Sequence, residues 1–279
     1  MKKIFFYGNC QSYEITNVLS KSFDPLEWNI IKIKCFETNI KQSEFDEIIK
    51  TSDVIITQPI TDNYRNCEYL STSYMLKNCN KNCRIIMFPS CYFKFYYFDL
   101  INIQIESKLN KIHDNFHYKE LLESYKNNLS VNYFIDNCVN NINLKSSEEL
   151  LNIANISLQM LENKELKMFE NIILNNNLQI ITVSKFIRQN YKKKLLFYSE
   201  NHPTKYLLQF ISEKILYLLN LNNNIDYTAD PLIYPKWYLY LCLANVVDFD
   251  IKYINSCINN YNIDDISNLY WLYYKNSIL

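Results

Sequence analysis

The sequence predicts an α/β protein built on a parallel sheet, and three observations predict it. Short apolar runs recur at residues 3–7, 53–57 and 84–88, each of the length and composition of a buried strand. Stretches with helical spacing separate them. Each run ends in a polar turn that carries glycine or proline: Tyr7-Gly8-Asn9-Cys10-Gln11, Thr57-Gln58-Pro59 and Phe88-Pro89-Ser90. Strands that alternate with helices call for βαβ crossovers and hence parallel pairing.

In chain order, the strand at 3–7 leads into a helix over 11–22, with Ile15, Val18 and Leu19 on one face. Residues 29–35 alternate apolar and basic side chains, which predicts a strand with one exposed face. Residues 43–50 read as helix, 53–57 as the next buried strand, 66–78 as helix and 84–88 as strand. From about 106 to 177 the spacing is helical with no clear strand, which predicts a helical insertion. Leu195–Tyr198 returns to strand character. From Thr204 a strongly amphipathic helix carries Leu207, Leu208, Ile211, Ile215 and Leu218. Residues from about 221 to 279 form an Asn- and Tyr-rich extension. The whole, 1–279, reads as a single α/β domain; there are no internal repeats.

Composition narrows the function. Twenty-nine basic residues balance 29 acidic ones. A chain with no net charge has no electrostatic footprint for nucleic acid and no broad attraction to anionic membranes. No stretch approaches the length of a transmembrane span, and the N-terminal apolar run is too short for a signal peptide. Nine cysteines, an odd number at scattered spacings, predict free thiols in a reducing, cytoplasmic compartment. Glycine is nearly absent. Gly8 is the only one, where an average chain of this length has about 20. A residue type this depleted survives where φ must be positive or where another atom must come close to the backbone.

The three turns also carry the chemistry. Ligands of open parallel sheets bind outside the carboxyl ends of the strands, so three polar turns at three such ends converge on one crevice. Cys10 stands where a strand becomes a helix. The free N–H groups and partial positive charge of a helix N-terminus favour a thiolate and can hold an oxyanion. The alternative is a small buried hydrophobe, the usual fate of a free cysteine. His202, in Glu200-Asn201-His202-Pro203, precedes the amphipathic helix and can serve as general base toward Cys10; the alternative is a capping or surface histidine. His113 and His117 are four apart on a predicted helix and share a face, yet no His-Glu-x-x-His pattern surrounds them, so no metal is expected. Cys79 and Cys83 lack a second matching pair. Lys192 to Lys194, after Arg188, read as a solvated helix end, with a phosphate contact as the alternative.

Taken in order, Gly8-Asn9-Cys10-Gln11, Gln58-Pro59, Phe88-Pro89-Ser90, His113-Asp114 and Asn201-His202-Pro203 resemble the WcbI family of capsular polysaccharide biosynthesis proteins, over about residues 1–220. The resemblance implies a three-layer, flavodoxin-like fold similar to SGNH hydrolases and acetyltransferases. It implies coenzyme A or acyl-CoA as substrate, with Gly8, Asn9, Gln11, Gln58, His113 and Asn201 as its contacts. It also implies transfer of an acyl group, acetyl first, to a surface glycan. Cys10 falls where such enzymes place the nucleophilic serine and His202 where they place the catalytic histidine. Gln58 falls near an oxyanion-hole or substrate-orienting position. The departure is Ser199, which stands where the aspartate three residues before the histidine is expected. An acyltransferase is therefore the leading expectation. An esterase or deacylase using the same groups, and a non-catalytic coenzyme A or glycan-binding module, are the alternatives.

Overall fold

In a computed structural model the structure describes residues 1–36, 39–107, 116–222, 225, 227, 230–233, 237–259 and 262–278. Its main elements, in chain order, are β1 (Lys2–Gly8), α1 (Cys10–Leu19), β2 (Trp28–Lys34), α2 (Gln42–Thr51), β3 (Val54–Thr57), α3 (Thr72–Asn78), β4 (Arg84–Met87), α4 (Lys119–Lys126), α5 (Ser147–Glu170), β5 (Leu178–Ile180), α6 (Ser184–Asn190), α7 (Lys205–Leu219) and α8 (Ile263–Lys275). The chain divides into two compact units. The first holds Met1–Tyr92, Leu158–Gln189 and His202–Leu232; the second holds Phe93–Ser157, Asn190–Asn201 and Ile233–Leu279. Among the described residues no helix is long and apolar enough to cross a membrane.

The first unit is built on a five-stranded sheet in the order β2-β1-β3-β4-β5, every pairing parallel. This is the flavodoxin-like order, with its switch point between β1 and β3. The apolar runs are buried because both faces of the sheet are covered, the condition under which parallel strands lose their alternation. On one face Phe5, Tyr7, Ile55, Ile85 and Met87 pack with Phe45 and Ile49 of α2 and Met75 of α3. On the other, Ile4, Phe6, Ile56 and Ile86 are equally inaccessible. There α1 lies on β1 and packs beside α7.

Most predicted elements lie where the apolar pattern put them. The fifth strand does not. Leu195–Tyr198 is buried throughout but forms no strand, only an isolated bridge at Phe197; it belongs to the second unit, where the Phe197 carbonyl accepts from the Tyr97 hydroxyl at 3.3 Å. The strand that completes the sheet is Leu178-Gln179-Ile180, held to β4 by the Ile181 N–H on the Met87 carbonyl at 2.8 Å. Three residues at a sheet edge carry too little alternation to stand out, whereas burial alone makes four successive apolar residues look like a strand. The predicted helix at 66–78 begins only at Thr72, capped by Ser71; tight 3₁₀ turns at Tyr64–Asn66 and Glu68–Leu70 precede it.

The second unit is helical but not strand-free. Leu100–Asn102 pairs antiparallel with Phe116–Tyr118, and Glu106–Ser107 with Ser277–Ile278. The extension at its end is helical, with α8 as the longest piece. His117 therefore sits on a strand, not on a helix shared with His113, and His113 lies outside the described residues. The His117 ring is buried against Tyr270, Tyr273 and Tyr274, with Nδ1 3.1 Å from the Tyr274 hydroxyl.

Burial lowers the pKa of His117 from 6.5 to about 4. A depressed pKa contributes stability that is present above the unfolded value of 6.5 and lost as the pH falls through about 4. Asp99, raised by burial to about 7, acts in the opposite sense over much of the same window. Melting temperatures of the wild type and His117→Gln isolate the histidine, because Asp99 is common to both. The wild type should lose stability more steeply on acidification between these two pKa values. Parallel pH profiles would contradict a buried neutral imidazole.

Candidate functional site

The turns after β1, β3 and β4 meet at the carboxyl edge of the sheet, tied together by two buried glutamine side chains. Asn9 caps α1 in an extended conformation, and its side-chain oxygen accepts from the Gln11 N–H at 2.9 Å. The Gln58 side chain reaches across from β3: its Oε1 accepts from the Asn9 N–H at 2.8 Å. Its Nε2 donates to Gln11 Oε1 at 3.3 Å and to the Pro89 carbonyl at 3.4 Å. Gln11 in turn pairs with the backbone of Cys91 as one strand pairs with another, Nε2 donating to the Cys91 carbonyl and Oε1 accepting from the Cys91 N–H, both at 2.9 Å. Asn9 Nδ2 closes the ring on Ser90 Oγ at 2.9 Å.

The glycine is explained by this network. A Cβ on Gly8 would stand 2.5 Å from Gln58 Oε1 and 2.8 Å from the Ser12 Cβ. Its φ is not positive, so close approach is the reason for glycine here. Cys10 opens the first turn of α1 and is half-buried. Below it Ser12 Oγ is buried and, among the described residues, has no hydrogen-bond partner. Nothing in the sequence singled out Ser12; its place one turn from Gly8 was the available signal.

The geometry corrects part of the expected electrostatics. The N–H groups of Asn9 and Gln11 and the Gln58 amide are already engaged. Asn9 and Gln58 therefore hold the turn, and the Gln58 amide has both its donors spent on Gln11 and Pro89. Gly8, Asn9, Cys10, Gln11 and Gln58 come together as expected, and Ser90 and the Cys91 backbone join them.

His202 is buried and lies just ahead of α7, which begins at Lys205 after the cap residue Thr204. It belongs to the first unit, as Cys10 does, and α7 packs beside α1. Asn201 and Glu200 belong to the second unit. There the Ser199 hydroxyl donates to Asn201 Oδ1 at 3.0 Å, and the Glu200 carboxylate lies 3.6 Å from Lys94 Nζ. Arg188 is paired with Glu162 at 2.6 Å. Among the described residues no cluster of histidine, cysteine and acidic groups could hold a metal ion.

The sequence matches, over residues 3–224, the family described as polysaccharide biosynthesis enzyme WcbI. No curated protein matches it. The fold is similar to a solved structure described as WcbI, a novel polysaccharide biosynthesis enzyme, native protein without a disulfide bond between coenzyme A and one of its cysteines. The TM-score is 0.74 at 18% identity, covering 97% of this chain and 93% of that one.

The clamp gives a direct test. Gly8→Ala should destabilise the protein by about 1–3 kcal/mol through overpacking, read by denaturant unfolding. The same substitution should cost less in a Gln58→Ala background, because the closest atom it meets is then gone. Strict additivity of the two changes would show that Gln58 does not press on Gly8.

Proposed function

The chain belongs to the WcbI family of polysaccharide biosynthesis enzymes, and on that premise we propose that it is a cytoplasmic acyltransferase, moving an acyl group, acetyl first, from acyl-CoA to a hydroxyl of a polysaccharide or its precursor. The observation that carries this reading is the clamped turn, which holds Cys10 half-buried on the first turn of α1 at the sheet's switch point. In the first step the Cys10 thiolate attacks the thioester carbonyl and coenzyme A leaves as its thiolate. In the second, a sugar hydroxyl attacks the Cys10 thioester while His202 takes the hydroxyl proton. The cysteine departs as thiolate and the new ester bond remains on the sugar. The positive end of the helix dipole at the start of α1 favours both the thiolate and the oxyanion.

Six of the other thiols are poor competitors. Burial raises the pKa of Cys35, Cys79, Cys91 and Cys138, brings Cys83 to about 12 and Cys242 to about 11. One observation favours a second reading, a coenzyme A-binding module without turnover: Ser199 replaces the orienting aspartate of a full triad, and its hydroxyl is directed to Asn201.

Incubation with acetyl-labelled acetyl-CoA and a capsule-type glycan separates the readings. Label in the glycan supports transfer, free acetate points to an esterase, and binding without turnover points to the module. His202→Ala should cut turnover by about 10²–10⁴-fold at unchanged melting temperature; unchanged turnover removes it from the mechanism. Limited alkylation near neutral pH with peptide mapping should label Cys10 first, and coenzyme A should protect it. Faster labelling of Cys79 or Cys83 would remove the activated cysteine.

A further inference from the structure

The second unit has a cavity of about 560 Å³, a size in the range of small-molecule sites. One of its wall residues is Asp99, only 7% exposed. The Tyr240 hydroxyl donates to Asp99 Oδ2 at 2.9 Å, and the carboxyl also takes the Glu120 backbone N–H at the start of α4. Capping α4 accounts for the second of these bonds. It does not account for the open space beside the carboxyl, nor for the shape of the opposite wall. That wall comes from the helical run 131–143, whose central segment, Phe134–Val139, is π-helical. Such segments are rare and concentrate at functional sites. Tyr133 and Asn141, which flank it, both face the cavity.

We propose that this cavity binds a sugar ring of a glycan. The argument is one of donor and acceptor inventory. Glu120 only accepts, Lys119 and Lys145 only donate, and Asn141 and Tyr133 do both. Asp99, held by burial near the point of half-protonation at neutral pH, can also do both. The wall carries groups of both signs. An anion would meet Asp99 and Glu120, and a simple cation would meet the lysines. A neutral ligand whose every polar group both donates and accepts, as a sugar hydroxyl does, can use all of them. Phe98, Ile142 and Ile153 add apolar surface for the C–H face of a pyranose ring. The proposal stands on the second unit's own residues and does not rest on the acyl-transfer reading.

The test uses the full chain with isotope-labelled isoleucine methyl groups, titrated with N-acetylglucosamine and, separately, with inorganic phosphate. The Ile142 and Ile153 methyls should shift saturably with the sugar and not with phosphate. Asn141→Ala and Glu120→Ala, both at accessible positions and expected to melt as the wild type does, should each weaken the sugar on the order of tenfold, the loss of one hydrogen bond to a bound ligand. Cys10→Ser should leave the titration unchanged, so that failure of the transfer chemistry and failure of this site are told apart. No saturable shift at these methyls, equal affinity in both wall variants, or a response to phosphate alone would each overturn the proposal.

Discussion

The contact on which the rest of the site depends is that of the Gln58 side-chain oxygen with the backbone at Gly8 and Asn9. Its 2.8 Å bond from the Asn9 N–H exists only because residue 8 has no side chain. From that contact the other tethers follow. Gln58 and Gln11 are 1% and 0% exposed, and a buried primary amide is stable only when its donors and acceptors are met. Each therefore reaches a loop far away in sequence, and the turns after β1, β3 and β4 are set relative to one another by side chains where the strand ladders end.

This clamp also decides what the site can do. The Asn9 and Gln11 N–H groups and the Gln58 amide are spent in building the turn, and the half-buried Cys10 stands at the start of the helix that the turn fixes. A fixed N-terminus is a useful electrostatic device. Its dipoles are oriented before any charge develops and need not reorganise when it does. Rigidity supplied by Gln58, Gln11 and Asn9 is thus the physical link between a folding constraint and the thiolate chemistry we propose. Removing any of them would loosen the turn without touching a reacting atom.

Much of this was legible in the sequence, for identifiable reasons. Fully buried parallel strands announce themselves as apolar runs, and the turns at their ends as polar residues with glycine or proline, so the order of elements up to β4 and the convergence of Gly8, Gln58 and Pro89 could be read directly. What could not be read was pairing. Leu178–Ile180 is too short to show a period, and Leu195–Tyr198 has a strand's burial without its ladder. His117 was placed on a helix because spacing of four suits one; its short strand is defined by a partner at Leu100–Asn102 that local pattern does not reveal. The direction of the glutamine amides was equally hidden, since a motif gives residue types and not which hydrogen bonds they spend.

The distribution of asparagine explains why the glycine was informative. Left-handed backbone occurs at Asn63, Arg65, Asn66, Asn128 and Asn220, and at none of these positions is there a glycine. Asn220 ends α7 in the conformation that helices commonly give to glycine. Asparagine tolerates positive φ at modest cost because its short side chain bonds locally. A chain that avoids glycine can therefore substitute asparagine wherever only conformational freedom is needed. It cannot substitute anything where the requirement is the absence of a Cβ. Gly8 has ordinary φ and a neighbour 2.5 Å from where a Cβ would stand, so it is retained for the second reason alone. In a sequence this depleted, the surviving glycine marks the point where a side chain comes closest to the backbone, and here that point is the base of the turn presenting Cys10.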